Sequence, residues 1–88
     1  MNDVLKITNR FMITGVGSVY IVDYSKNTII HVGDVFCDSV GNRFEVKGIE
    51  MPRSKNLAGV EIATVGLLLV GVDRVEVQGD ILVREYKD

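Results

Sequence analysis

No window of eleven or more residues in this chain places apolar side chains at the three-and-four spacing of a helix between capping residues. Short apolar or alternating runs stand instead between glycine and asparagine breaks that recur at about ten-residue intervals. Such a chain can bury its apolar side chains only by laying strands against strands, so the expected class is all-β, a small sandwich or barrel. With six or so strands and no helix to cover a sheet edge, closure is what removes the edges. The expected fold is a small closed six-stranded antiparallel β-barrel. The 88 residues are read as one domain, 1–88, just large enough to bury a core without staples.

The best-specified unit is "DVFCDSVGNRFEVKGI". Gly41-Asn42 reads as a two-residue hairpin connection whose members tolerate positive φ. Pairing outward from it sets Cys37 opposite Val46 and puts Val35, Cys37, Phe44 and Val46 on the core face. Phe36, Asp38, Glu45 and Lys47 then share the outer face. In that register Cys37 is a buried, inert thiol, and Asp38 opposite Glu45 is a solvated like-charge pair. Further strands are expected from Ser18 to about Tyr24, over "TVGLLLVGV" as a central strand, over Val75 to Gln78, and from Ile81 to Glu85 after a turn at Gly79-Asp80. Pro52, in "EMPRSKNLAG", reads as part of an exposed polar loop.

"FMITGVGSVYIVDY" raises the question of phosphate binding through Gly15 and Gly17. A dinucleotide fingerprint needs a third glycine where Tyr20 stands, and it must open a helix. Strand formers follow here, and no Gly-Lys-Ser/Thr triplet exists anywhere in the chain. Gly15 and Gly17 are therefore read as a structural corner or bulge, where backbone passes close to backbone.

The blocks "F-x-I-x-G-x-G-S-V", "V-G-D-V" at Val32 to Val35, "F-E-V-K-G-I", "V-G-L-L-L-V-G-V" and "G-D-I-L-V" occur in this order between Phe11 and Val83. The ordered set resembles domain 2 of elongation factor Tu, the β-barrel domain that recurs across translational GTPases. The resemblance implies the same barrel, with a Gly-Arg-Gly type corner joining two strands at Gly15 and Gly17. It also implies limits. The chain has none of the motifs of the GTPase domain beside which the family's barrel sits, so GTP is not an expected ligand. Val16 and Val70 stand where the family often carries arginine, and the connection from Gly48 to Val65 looks shorter than the family's. These departures argue against carriage of aminoacyl-tRNA.

Composition narrows the function classes. Hydrophobic residues at 47% and charged residues at 25% describe an ordinary globular protein, and a net charge of -2 with pI near 5.3 argues against a broad grip on nucleic acid. One cysteine makes neither an internal disulfide nor a zinc site, no signal peptide is recognised, and "VGLLLVGV" is too short to span a bilayer. The expected location is cytoplasmic, with no membrane partner. His31 has no nucleophile or metal-spaced companion, and Asp23, Asp34, Asp38, Asp73 and Asp80 are scattered beside turns. No enzyme, cofactor or metal is therefore expected.

The expected function is a non-catalytic binding module resembling the translation-factor barrel, contacting a protein or the translation machinery. The alternative is a structural or assembly protein that forms a homo-oligomer through a strand edge or apolar strip. Arg43, Lys47, Arg53 and Lys55 are candidate contacts around the hairpin and its loop. Tyr20 and Tyr24 alternate along one strand and would offer a shared stacking face. The plainer account is that these charges keep the barrel soluble and the tyrosines complete cross-strand pairs. The acidic balance favours that account, so RNA is not the favoured partner. Met51, Pro52 and Leu57 add a possible apolar contact in the loop.

Overall fold

The structure, a computed structural model, describes residues 3–25, 27–57, 60–72 and 75–85, with backbone alone for 51–57, 60 and 61. Six strands run in chain order: β1 (Val4–Ile13), β2 (Gly17–Ser25), β3 (Val35–Cys37), β4 (Arg43–Leu57), β5 (Val60–Gly71) and β6 (Ile81–Arg84). They form a closed barrel in the order β1-β2-β5-β4-β3-β6, and every pairing is antiparallel. The all-β class and the closed six-stranded antiparallel barrel are as the sequence leads one to expect. "TVGLLLVGV" is central, paired to β2 on one side and β4 on the other.

Alternation sends one side chain in two to the interior. Leu5, Ile7, Tyr20, Val22, Phe36, Phe44, Val46, Val65, Leu67, Leu69 and Leu82 fill it, joined by Val77 from the segment before β6. On the outside, Leu68 lies against β2 and β4, where Gly17 and Gly48 leave room for it.

The corner assigned to Gly15 and Gly17 is present. Val16 N donates to Ile13 O at 3.0 Å across the turn, and the glycines have φ of 80° and 128°. A Cβ on Gly15 would meet open space, whereas one on Gly17 would stand 3.3 Å from Leu68 Cδ1. Gly17→Val is thus expected to cost about 3 kcal/mol and Gly15→Val about 1–2 kcal/mol, in that order, by urea unfolding. Equal or negligible losses would remove the strain account.

Three expectations are corrected. First, β3 pairs with β4 as Phe36↔Phe44 and Cys37↔Arg43, so residues 38–42 form a five-residue loop rather than a two-residue turn. The slip reverses the faces of β3, where Phe36 is fully buried and Cys37 half-buried, while Phe44 and Val46 face the core as expected. Burial raises the Cys37 thiol, and the Glu85 and Asp38 carboxylates add to that, so it is a poor nucleophile for reasons of charge as well as access. Asp38 is not a solvated partner of Glu45 but a buried residue.

Second, residues 50–57 continue β4, paired to β5 as far as Leu57↔Val60, and are not a loop. The register shifts between Glu50 and Arg53, around Pro52, which has no N–H for a ladder. Third, residues 75–78 join no ladder. Val77 packs into the core from an extended segment held by side chains, while Val75 is exposed.

The last strand is locked by charge. Arg84 Nε donates to Asp3 Oδ2 at 2.7 Å, its NH1 to Asp34 Oδ2 at 2.6 Å and its NH2 to the Ile29 carbonyl, with the guanidinium 4.9 Å from the Phe36 ring centroid. Burial opposes ionisation of Asp34, but the His31 N–H and Arg84 outweigh it and lower its pKa. Asp38 is lowered in the same way, by hydrogen bonds against burial. With folded values below the unfolded value of about 3.9, both carboxylates contribute stability that is complete at neutral pH and lost as pH falls through their folded pKa. Urea midpoints taken from pH 6 downward are expected to drop below about pH 4, and Asp34→Asn to flatten that drop. An unchanged slope in the variant would exclude Asp34 as a source.

Candidate functional site, an apolar mouth at one end of the barrel

The β1–β2 corner carries apolar residues outward at one end of the barrel. Phe11, Met12 and Val16 are exposed there, as are Val70, Val72 and Val75 on the chain leaving β5; Met12 is the most open at 69%. Between these two groups lies a cavity of about 350 Å³, lined by Met12, Ser18, Tyr20, Leu69, Val75 and Glu76 among others. A smaller cleft of about 140 Å³ continues between β1 and Glu76, beside Arg10 and Phe11. Tyr20 is the floor: it is 4% exposed, and its hydroxyl oxygen lies 3.5 Å from the Val77 amide that donates to it.

Two polar devices hold the far wall in place. Arg10, from β1, donates through NH1 to Val77 O at 2.9 Å, and through NH2 to Gly79 O and to Asp80 Oδ1, the last at 3.1 Å. Its guanidinium also lies 5.8 Å from the Tyr20 ring centroid. The second device is Asp38. Oδ1 accepts from Val40 N at 3.1 Å and Asn42 N at 2.8 Å, and Oδ2 accepts from Asn42 Nδ2 at 3.0 Å and Gln78 N at 2.9 Å. One buried carboxylate thus closes the 38–42 loop and ties residue 78 to it. Ser39 Oγ adds a bond to Gln78 O at 3.0 Å. Ordered polar brackets hold an apolar rim open.

The residues singled out in the sequence do not make a common surface. Tyr20 and Tyr24 do share a face, but it is the inner one: Tyr20 is core and Tyr24 packs against the core, so neither offers a stacking platform. Arg43 Nε bonds Glu85 Oε2 at 2.6 Å, and Lys47 Nζ lies 2.7 Å from Glu45 Oε2, so acidic neighbours offset both cations. The side chains of Arg53 and Lys55 lie outside the described residues, as do those of Met51, Pro52 and Leu57. His31 is exposed; its backbone N–H donates to Asp34 Oδ2 at 2.8 Å. Among the described residues no three His, Cys, Asp or Glu side chains cluster at metal-binding distance. Among the described residues there is no helix long and apolar enough to cross a membrane.

Sequence reasoning missed the mouth because its rim residues read as ordinary strand positions. The signal available was Val16 and Val70, apolar at places where the resembled family carries arginine. No protein-family model, no curated protein and no solved structure matches this chain.

Proposed function

We propose that this chain is a non-catalytic binding module that receives a protein partner at its apolar mouth. The observation that carries the reading is that exposed Met12, Val70 and Val75 line one concave opening, with exposed Phe11 on the cleft that adjoins it. Scattered apolar residues on a surface need no explanation, but a contiguous set rimming a cavity points to a contact site. The acidic net charge and the paired state of Arg43 and Lys47 weigh towards protein and against RNA. A partner in the translation machinery is what the resemblance to the elongation-factor barrel implies.

Met12→Asp tests the site. Met12 is exposed, so the change is expected to alter stability by less than about 0.5 kcal/mol. Placing a charge at the centre of the mouth is expected to abolish partner capture. Tagged wild type and variant are compared in affinity capture from lysate, with and without ribonuclease. A partner lost with the variant supports the mouth, and loss on ribonuclease treatment in addition points to ribosomal or tRNA-linked assemblies. Equal capture by both proteins would remove the mouth as the site.

A second reading is self-assembly. Among the described residues nothing pairs with β4 on its β3 side beyond Val46, where Gly33 N and Asp34 O complete the wall. A second copy adding its own β4 there would form a symmetric dimer. Light scattering across concentration distinguishes the two, since a binding module of this kind stays monomeric.

A further inference from the structure

The barrel is closed over only part of β1. β6 pairs with Val4, Leu5 and Lys6, and Ile7 N donates to Asp80 O at 2.7 Å. Among the described residues no ladder partner follows on that side, although β1 runs on to Ile13 along β2. The neighbour there is the 75–77 segment, set off from β1 by the cleft and, among the described residues, bonded to β1 through the Arg10 side chain.

Backbone direction along this open edge follows from its ends. The carbonyl of Ile13 turns toward β2, where it accepts the Val16 N–H. Successive residues point their N–H and C=O groups to opposite sides, so Phe11 also faces β2 while Met12 and Arg10 face the opening. The bulge between Ile7 and Asn9 reconciles this count with Ile7 facing Asp80. Arg10 N supports the assignment: on the open side it takes Asn9 Oδ1 at 2.8 Å instead of a strand. Among the described residues, what stays on offer is the Arg10 carbonyl and both backbone groups of Met12.

The geometry points to recognition by strand addition: an extended segment of a partner protein pairs with β1 at Met12 and lays one apolar side chain into the mouth. The inference rests on the mouth being the binding site, and it names the kind of partner. A residue paired with Met12 shares its face, the face on which Met12 lies across from Ser18 and Arg10 from Tyr20. Its side chain therefore enters the cavity over Tyr20 and Leu69, with the chemistry of a leucine, methionine or phenylalanine. Glu76 lines both the cavity and the cleft and has no ion-pair partner among the described residues. The partner segment accordingly carries a lysine or arginine beside its apolar anchor. Because Asn9 already occupies the Arg10 N–H, the pairing window is short. Backbone bonds set direction and register, and the anchor supplies most of the affinity.

The test uses a display library of ten-residue peptides selected on the whole protein, with the best binder then synthesised. Each backbone N–H of that peptide is methylated in turn, and binding is followed by amide shifts of the labelled protein. Strand addition predicts a loss of about tenfold at one or two alternating positions and little at those between, with shifts centred on Phe11 to Ile13 and Glu76. Glu76→Lys is expected to reverse the preference from basic to acidic peptides by about tenfold. Peptides that bind the mouth but tolerate methylation everywhere overturn strand addition while leaving the mouth as a binding site. An unchanged charge preference in Glu76→Lys overturns the basic-partner assignment. Selection that yields no binder, or a dimer of this chain dissolved by Met12→Asp, overturns the proposal as a whole.

Discussion

Asp38→Ala is expected to lower folding stability by about 3 kcal/mol, an outsized effect for a residue that pairs with no opposite charge among the described residues. The carboxylate is 7% exposed and accepts four hydrogen bonds from N–H donors: the Val40, Asn42 and Gln78 amides and the Asn42 carboxamide. Removing it strands these donors in a part-buried setting, and the cost of unmet donors exceeds the value of the bonds themselves. Because Asp38 holds the Gln78 amide where no strand does, the wall opposite β1 should loosen at that residue. Hydrogen exchange at the Gln78 amide should therefore accelerate in Asp38→Ala more than exchange in β5. A loss below about 1 kcal/mol in urea unfolding would mean that water replaces the carboxylate and that the bracket is incidental.

The next largest effect is expected at Phe36. Phe36→Ala removes a fully buried ring that packs against the core and beneath the Arg84 guanidinium, at a cost of about 4 kcal/mol. Its neighbour Cys37 is half-buried, and Cys37→Ser should cost less than about 1 kcal/mol. The pair of variants, measured together by chemical unfolding, distinguishes the two possible registers of β3. Pairing outward from a turn at Gly41-Asn42 predicts the reverse ranking, with the cysteine change the damaging one. A protein of this size holds a margin of roughly 5–10 kcal/mol, so Phe36→Ala should also lower the melting temperature by well over 10 °C.

The contrast at Phe36 and Cys37 shows where local pattern stops informing. Period-two alternation says which residues share a face, and it paired Tyr20 with Tyr24 correctly. It does not say which face is inside. For β3 and β4 that choice depended on loop length, and the loop is set by Asp38 folding back onto Asn42, a contact no periodicity encodes. A one-residue slip then exchanged core and surface along β3, while Phe44 and Val46 on β4 kept the core face the pattern gave them. The Gly15-Val16-Gly17 corner was legible because positive φ restricts the choice of residue so severely. Pro52 misled in the opposite sense. It suggests a loop, yet a proline at a register shift costs no ladder bond and lets β4 run on.

Residues 75–78 alternate like a strand and are not one. What positions them is Arg10, bonded to Val77 O from 67 residues away, together with Asp38 and Ser39. The mouth exists because of these non-local bonds, so a reading based on near neighbours had no means to find it. Its rim was visible only as Val16 and Val70, two apolar residues without an evident internal use.

The seam between β1 and β6 has a consequence for how the molecule is made. Asp3 and Arg84 meet across 81 positions, a closure worth roughly 4 kcal/mol of chain entropy in an unstructured chain and less once β1 to β5 have paired. During synthesis β1 to β5 can pair as each appears, but β1 and β3 keep bare flanks until residues 81–84 emerge. The nascent barrel therefore stays vulnerable to mispairing until β6 has emerged. Slowing elongation over residues 81–84 lengthens that exposure, and a chain stopped after Gly79 should associate through both bare flanks.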